Sequence, residues 1–263
     1  ILNVIALVLL KMGLQGLFMS TLVAQLLTLI YLVFSSKSYE YLSLKSVHIK
    51  TLKSVCAYSI PLIPNNLGWW VVNASDRIII SHFLGTAVNG IYSVSNKFPN
   101  VFMQFYNILN LSWTETVSLH YIDEDRDEFL TETMTSFFKL FAAACFGIVA
   151  CMPFVFPLLV NVKYNAAYNQ ILILMYAMLF RVLVGLYSCI YVAQKSTKKM
   201  ASTTISAAVI NIVVNLFLIN KIQIFAASLS TLVAFFSMFI VRYIDVNKTV
   251  PVSYTHLTLP TIA

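Results

Sequence analysis

Long apolar runs, separated by short polar stretches, dominate this chain. A transmembrane helix needs roughly 20 mostly apolar residues, and barrel strands would alternate in hydrophobicity and be about half as long. The pattern therefore predicts membrane-spanning helices, with one partial span at residues 1–10. The full predicted spans are residues 17–34, 55–82, 88–112, 132–160, 169–193, 199–219 and 222–244.

The composition agrees with a polytopic membrane protein. Hydrophobic residues make up 59% of the 263 and charged residues 10%, whereas soluble domains average about 45–50% and 25%. An ordinary soluble enzyme is thereby excluded. The formal charge of +7 reflects basic loops rather than a nucleic-acid partner, because Lys and Arg concentrate in residues 35–54, after residue 193 and after residue 241. Counting spans places these three stretches on one side, which we expect to be cytoplasmic. The predicted location is the cytoplasmic membrane, crossed several times.

One predicted helix, residues 88–112, carries a polar stripe. Ser93, Asn96, Asn100, Gln104 and Asn107 lie within about 80° of arc, and Lys97 flanks them. Interhelical hydrogen bonds would account for two such side chains. Five polar side chains and a lysine on one face indicate that this helix forms a wall of a water-lined cavity.

Further polar residues lie inside other spans. Asn66, Asn73, Asp76 and Arg77 share a stripe of roughly 100°. They predict either a second cavity wall or a structural Asp76–Arg77 ion pair. Arg181 lies near mid-span and should face an anion, a carboxylate or a wet cavity. For Thr204, Asn211 and Asn215, which share one face, packing through amide hydrogen bonds is favoured.

The interior predicted from these stripes is rich in amides and cations. Amides suit sugar hydroxyls, and Arg and Lys suit phosphate. An exporter of cationic drugs would favour intramembrane carboxylates, of which Asp76 is the clear example here. No spacing of Cys or His indicates a metal site, so no cofactor is expected.

Four segments carry a family resemblance: YSIPLIPNNL at 58–67, NASDRIII at 73–80, NGIYSVSNK at 89–97 and AAVINIVVNL at 207–216. In this order and spacing they resemble Wzx-type lipid-linked oligosaccharide flippases. These are polysaccharide biosynthesis proteins of the multidrug/oligosaccharidyl-lipid/polysaccharide exporter superfamily. The resemblance covers roughly residues 1–245. It departs from the family at residues 221–227, where a glycine-rich turn is usual and the chain reads KIQIFAA.

The resemblance implies an all-α, MATE-like exporter fold with two six-helix bundles around a central cavity. Residues 1–34 would end the first bundle, 35–54 would be a basic cytoplasmic linker, and 55–245 would form the second bundle. The chain would then be a C-terminal fragment, inactive in transport by itself. Residues 246–263 form a tail, of which 252–262 look like translated sequencing-adapter read-through rather than native sequence.

The implied function is transport of a polyprenyl-diphosphate-linked oligosaccharide between membrane leaflets, and the chain is not expected to be an enzyme. Its implied partners are that substrate, membrane lipids, and polymerase and glycosyltransferases of the same pathway. The alternatives are a drug/cation antiporter of the same superfamily, a polytopic glycosyltransferase or polymerase, and a membrane scaffold. Phosphate contacts are expected from Arg77, Lys97 and Arg181, and sugar contacts from Asn96, Asn100, Gln104 and Asn107.

Overall fold

The described residues of the computed structural model are 4–9, 11–37 and 48–250, and within them the chain is helical with no strand. The predicted all-α membrane helix bundle is therefore confirmed. A short π-helix at Ile5–Leu9 and a 3-10 helix at Val162–Ala167 accompany the α-helices. These are α1 Gly13–Ser35, α2 Ile49–Ser59, α3 Leu62–Phe83, α4 Thr86–Ser95, α5 Lys97–His120, α6 Arg126–Leu159, α7 Tyr168–Ala193, α8 Thr197–Ile222 and α9 Phe225–Val246.

The chain divides into two compact units, Ile1–Val55 and Cys56–Ala263. In the first unit, α1 buries little besides Gly16 and Ser20, and Gly16 lies close to Ala6 of the π-helix. Large apolar side chains cover the rest of α1, among them Phe18 and Phe34. An apolar surface of this extent is stable in lipid but not in water, so α1 is membrane-embedded.

The second unit is organised around α7. This helix is buried nearly all round, and it packs against α9, α5 and α6, while α8 pairs with α3 and α9. Lipid tails are as apolar as Leu, so helices in a membrane associate through close packing and hydrogen bonds. A glycine makes one close approach possible, because a Cβ at Gly185 would overlap the hydroxyl of Tyr106. The missing side chain lets α5 and α7 pack together.

Five described helical segments are long and apolar enough to cross a membrane, which shows a membrane protein. They are Gly13–Ser35, Arg126–Leu159, Val162–Ala193, Thr197–Ile222 and Phe225–Val246.

Two predicted spans differ from the structure. Residues 55–82 form two helices, α2 and α3, parted at Ile60 and Pro61, and residues 88–112 fall in α4 and α5, parted at Asn96. Pro61 precedes the first residue of α3, and Pro99 in the first turn of α5 has no N–H for a helical bond. Neither α3 nor α5 is among the five apolar segments, since their polar side chains lower the hydropathy.

Three other predicted segments fall partly or wholly outside the described residues. The predicted linker 35–54 ends in helix rather than loop, because α2 begins at Ile49; residues 38–47 lie outside the description. The doubtful tail segment 252–262 lies outside it as well. For the predicted partial helix, the described part is the π-helical turn Ile5–Leu9.

The turn between α8 and α9 is the place where the chain lacks the glycine-rich sequence of the resembling family. Gln223 adopts φ +50° and ψ −129° there. This is a region that glycine enters freely and that side chains with a Cβ disfavour. A glutamine in this conformation carries backbone strain of order 1–3 kcal/mol.

Candidate functional site

A polar cavity of about 550 Å³ lies within the second unit, with walls from α3, α4, α5, α7 and α9. Its volume is in the range of small-molecule sites, about 300–1,000 Å³. Asn66 and Lys97, two of the predicted site residues, do not line it. The eight that do are Asn73, Asp76, Arg77, Asn96, Asn100, Gln104, Asn107 and Arg181.

The amide wall comes from α5 and the turn before it. Asn96, Asn100, Gln104 and Asn107 recur every three or four residues, so they share one side of the helix. The opposite side buries Phe102 and other aromatic residues against α6 and α7. Four residues of the predicted polar stripe therefore lie at the cavity, whereas Ser93 belongs to α4 and does not line it. Three of the amides, Asn100, Gln104 and Asn107, are exposed on the unit's surface. In a membrane such a surface must meet water or protein rather than lipid.

The second wall comes from α3, where Asp76 and Arg77 occupy different environments. Asp76 is buried with 3% exposure, whereas Arg77 is exposed. Neighbouring residues in a helix point about 100° apart, which separates the two side chains. The alternative of an Asp76–Arg77 ion pair is not realised. The ion pairs that the structure describes involve residues 120 with 123, 126 with 127, and 199 with 245.

Arg181 of α7 is half-buried at the cavity wall. One terminal guanidinium nitrogen donates a hydrogen bond to the side-chain oxygen of Asn73 at 3.2 Å. The guanidinium also lies over the ring of Trp69, 4.9 Å from its centroid, and 5.7 Å from that of Phe235. Aromatic faces attract a cation without neutralising it. Since no described carboxylate pairs with Arg181, its positive charge remains available to an anion in the cavity.

Asp76 forms the floor of the cavity. Its carboxylate accepts hydrogen bonds from the hydroxyl of Thr231 at 2.6 Å, the amide of Asn215 at 2.8 Å and the hydroxyl of Tyr92 at 3.0 Å. Tyr92 and Thr231 also line the cavity. The donors come from α4, α8 and α9, so one carboxylate ties three helices to α3.

Behind this floor lies a second layer of polar contacts. Asn211 accepts a hydrogen bond from Ser75 at 2.8 Å and donates to the hydroxyls of Ser230 and Thr231, each at 3.3 Å. Asn211 is fully buried. Packing through amide hydrogen bonds, favoured from the sequence for this face of α8, is what the structure shows.

The position of Asn66 explains its absence from the cavity. Its neighbour Asn65 is the buried residue, and Asn65 accepts a hydrogen bond from Thr204 at 2.7 Å. Asn66 is exposed on α3, and Lys97 is exposed at the start of α5. Asn66 shares a side of α3 with Asn73 but lies two turns before it, and neither Asn66 nor Lys97 reaches the cavity lining.

Arg242 is a correction to the sequence analysis, which counted it in the basic cytoplasmic stretch after residue 241. It lies within α9 and is completely buried. Its five N–H groups donate to oxygens of α7 and α8, and Tyr191 lies beside the guanidinium. The acceptors are the carbonyls of Val184 and Met200 and the hydroxyls of Ser188, Thr203 and Thr204.

Sequence reasoning missed Tyr92, Ser230 and Thr231 as neighbours of Asp76. A signal existed in α9, where Ser228, Ser230 and Thr231 interrupt an otherwise apolar run. Small hydroxyl residues at one level of a membrane helix often mark a close helix contact. That signal could not specify Asp76 as the partner, because the contact joins residues 155 positions apart.

A comparison with known families gives one match. Residues 1–173, about two thirds of the chain, match the family described as "Polysaccharide biosynthesis protein". No curated protein and no solved structure matches the chain. Within the described residues, no group of three His, Cys, Asp or Glu side chains is placed to hold a metal ion.

Proposed function

The chain belongs to the polysaccharide biosynthesis protein family, and from this premise we propose that it moves a polyprenyl-diphosphate-linked oligosaccharide across the cytoplasmic membrane. A role in polysaccharide synthesis or export follows from the family. The finer assignment is supported by one observation above all: a cavity among membrane helices that combines a row of amides with two guanidinium groups.

The chemistry of the walls fits the two parts of such a headgroup. Amides on α5 both donate and accept hydrogen bonds, as sugar hydroxyls require. A guanidinium binds phosphate oxygens through paired N–H groups, and Arg181 has no described carboxylate competing for it. Arg77, also in the cavity lining, adds a second cation. The lipid tail can remain in the bilayer while the headgroup occupies the polar cavity.

The transport cycle that we propose is alternating access. The unit that carries the cavity would rock against a second helix bundle, so that the headgroup faces one side and then the other. Polymerase and glycosyltransferases of the same pathway would supply and consume the substrate. In this proposal the chain binds and reorients a substrate and performs no bond chemistry.

A drug/cation antiporter fits the cavity less well. The aromatic faces of Trp69 and Phe235, which would attract a cationic drug, are already engaged by Arg181. The guanidinium would repel a second cation at this wall. The carboxylate of Asp76 is buried beneath hydrogen-bond donors rather than presented to a large ligand.

The test is substitution of Arg181 by Ala in the gene of the producing cell. We expect lipid-linked oligosaccharide to accumulate on the cytoplasmic leaflet and surface glycan to fall. Loss of one charge-assisted contact of about 1.5–3 kcal/mol corresponds to roughly a 10- to 100-fold weaker phosphate interaction. Arg126→Ala, at the start of α6 and outside the cavity lining, is the matched control. Unchanged leaflet distribution in an Arg181→Ala strain with normal protein abundance would contradict the proposal.

A further inference from the structure

We propose that a pocket between α8 and α9 binds the phosphate group of an anionic phospholipid. The pocket has a volume of about 400 Å³, lies where α8 begins and α9 ends, and shares no lining residue with the cavity described above. Its lining residues are Tyr191, Lys199, Ser202, Thr203, Val241, Ile244, Asp245 and Lys248. The basic stretches of the sequence predict that this end of the bundle is cytoplasmic. Binding of a phospholipid here does not depend on the transported substrate.

The pocket is formed by one side of each of two packed helices. On α8 the lining residues are 199, 202 and 203, and on α9 and the turn after it they are 241, 244, 245 and 248. Residues three or four positions apart share a side of a helix. Lys199 and Asp245 form an ion pair with 3.0 Å between Nζ and Oδ2, so the two sides meet at this level. The lining is therefore a continuous surface rather than a set of scattered side chains.

The first argument is the charge of the lining. Both oxygens of the Asp245 carboxylate are engaged, by the Nζ of Lys199 at 3.0 and 3.1 Å and by the hydroxyl of Tyr191 at 2.9 Å. Lys248 is exposed and takes part in none of the described ion pairs. The lining thus has a net charge of one positive unit, carried by a lysine that a ligand can reach. This charge matches the single negative charge of a phosphodiester.

The second argument is a positive charge behind the wall of the pocket. Arg242 is completely buried, and its Nε donates to the hydroxyl of Thr203 at 3.0 Å. Its guanidinium carbon lies 5.7 Å from the ring centroid of Tyr191. Both neighbours line the pocket, and no described carboxylate pairs with Arg242. A buried charge is screened much less than an exposed one, so this guanidinium makes the pocket more favourable for an anion.

The third argument is an available hydroxyl donor. Ser202 is exposed in the pocket and makes none of the side-chain hydrogen bonds described in the structure. A hydroxyl group can donate its hydrogen to a phosphate oxygen. The hydroxyl of Thr203 already donates to the carbonyl of Met200 and accepts from Arg242. A phosphate in the pocket therefore has two groups to contact, the ammonium of Lys248 and the hydroxyl of Ser202.

The apolar part of the lining favours a lipid over free phosphate. Val241 and Ile244 are 51% and 52% exposed, and they lie on α9 one and two turns before Lys248. Helix α9 is long and apolar enough to cross a membrane, so these side chains extend the pocket toward the bilayer. A phosphate with attached acyl chains covers both parts, whereas inorganic phosphate leaves the apolar part bare. Basic pockets between membrane helices on the cytoplasmic side are known binding sites of anionic lipid headgroups.

Binding is measured on the purified chain in dodecyl maltoside. Phosphatidylglycerol, phosphatidylcholine or sodium phosphate is added at equal ionic strength. Native mass spectrometry gives the bound lipid, and thermal unfolding gives the stabilisation. We expect saturable binding of phosphatidylglycerol with a higher unfolding temperature. Phosphatidylcholine, which has no net charge, and inorganic phosphate, which has no acyl chain, should each bind at least about 5-fold more weakly.

Two variants with opposite expected effects separate charge recognition from loss of structure. Lys248→Gln removes the accessible cation and should weaken phosphatidylglycerol binding about 5-fold. Asp245→Asn removes the acid and releases Lys199, so it should strengthen that binding by about the same factor. Lys221→Gln, at the other end of α8 and outside the lining, is the matched control and should leave binding unchanged. Each variant is compared with its own lipid-free unfolding temperature.

Several outcomes would overturn the inference. Equal binding of phosphatidylglycerol and phosphatidylcholine would show that charge is not recognised, and equal binding of inorganic phosphate would show that no lipid is required. Wild-type affinity in Lys248→Gln, or weaker binding by Asp245→Asn, would place the lipid elsewhere. All these measurements are made without lipid-linked sugar. The phospholipid site therefore stands or fails independently of the Arg181 experiment.

Discussion

Arg242 offers a test of how a buried cation is stabilised in this bundle. Its five N–H groups have five oxygen acceptors and no carboxylate. We predict that the conservative change Arg242→Lys is more damaging than Arg242→Met. Lysine keeps the buried charge but has three donors, so at least two contacts are lost. At about 1.5–3 kcal/mol for each bond to a charged group, the expected loss of stability is about 3–6 kcal/mol.

Methionine removes both the charge and the need to solvate it. The three hydroxyl acceptors already donate their own hydrogens elsewhere: Ser188 to the carbonyl of Val184, Thr203 to that of Met200, and Thr204 to Asn65. They therefore keep one partner each when the guanidinium is gone. Replacement of buried charged groups by apolar ones is often close to neutral. We expect Arg242→Met to cost less than about 2 kcal/mol.

The assay is thermal unfolding of purified variants in detergent, followed by the loss of the monodisperse peak in size-exclusion chromatography. At about 2–4 °C per kcal/mol for a domain of this size, Arg242→Lys should lower the midpoint by at least about 6 °C. Arg77→Lys makes the same chemical change at an exposed site of α3 and should shift it by less than about 2 °C. A lysine variant as stable as wild type, or a methionine variant below the lysine one, would refute the reasoning.

Three further predictions use the same unfolding assay. Gly185→Ala should cost about 1–3 kcal/mol, because its Cβ would displace the buried ring of Tyr106, whereas Gly147→Ala meets open space and should not destabilise. Gln223→Gly should raise stability by about 1 kcal/mol through relief of backbone strain; a lower midpoint would contradict the strain. Asn211→Leu removes three interhelical hydrogen bonds and should cost about 2 kcal/mol at roughly 0.6 kcal/mol each; no change would show that this layer contributes nothing.

The fold class and half of the residues that line the cavity could be predicted from the sequence for a physical reason. Apolar length and a helical period determine which residues share a side, so Asn96, Asn100, Gln104 and Asn107 could be grouped from spacing alone. The same periodicity does not resolve a helix break. Pro61 and Pro99 divide two predicted spans because a missing N–H acts locally, while hydropathy is averaged over a long window.

Periodicity cannot predict contacts between segments that are distant in the sequence. Asp76 and Thr231 meet only because α3 and α9 pack in one unit, and nothing local to either residue encodes the other. The same applies to Arg242, which the sequence pattern placed in the basic stretch after residue 241. Its burial depends on which oxygens α7 and α8 present at that level. Such pairings follow from tertiary packing and require coordinates.

The break at Asn96 bears on how the cavity wall can move. Pro99 has no N–H to offer the carbonyl of Ser95, and the side-chain amide of Asn96 donates to the carbonyl of Tyr92 at 2.8 Å. The joint therefore lacks one helical hydrogen bond, although the backbone N–H groups of Asn96 and Asn100 still donate to the carbonyls of Tyr92 and Asn96. Because the hydroxyl of Tyr92 on α4 donates a hydrogen bond to Asp76, a bend at this joint would lengthen that contact. The proline thus lies at a joint between the row of amides on α5 and the tyrosine of α4 that binds the Asp76 carboxylate.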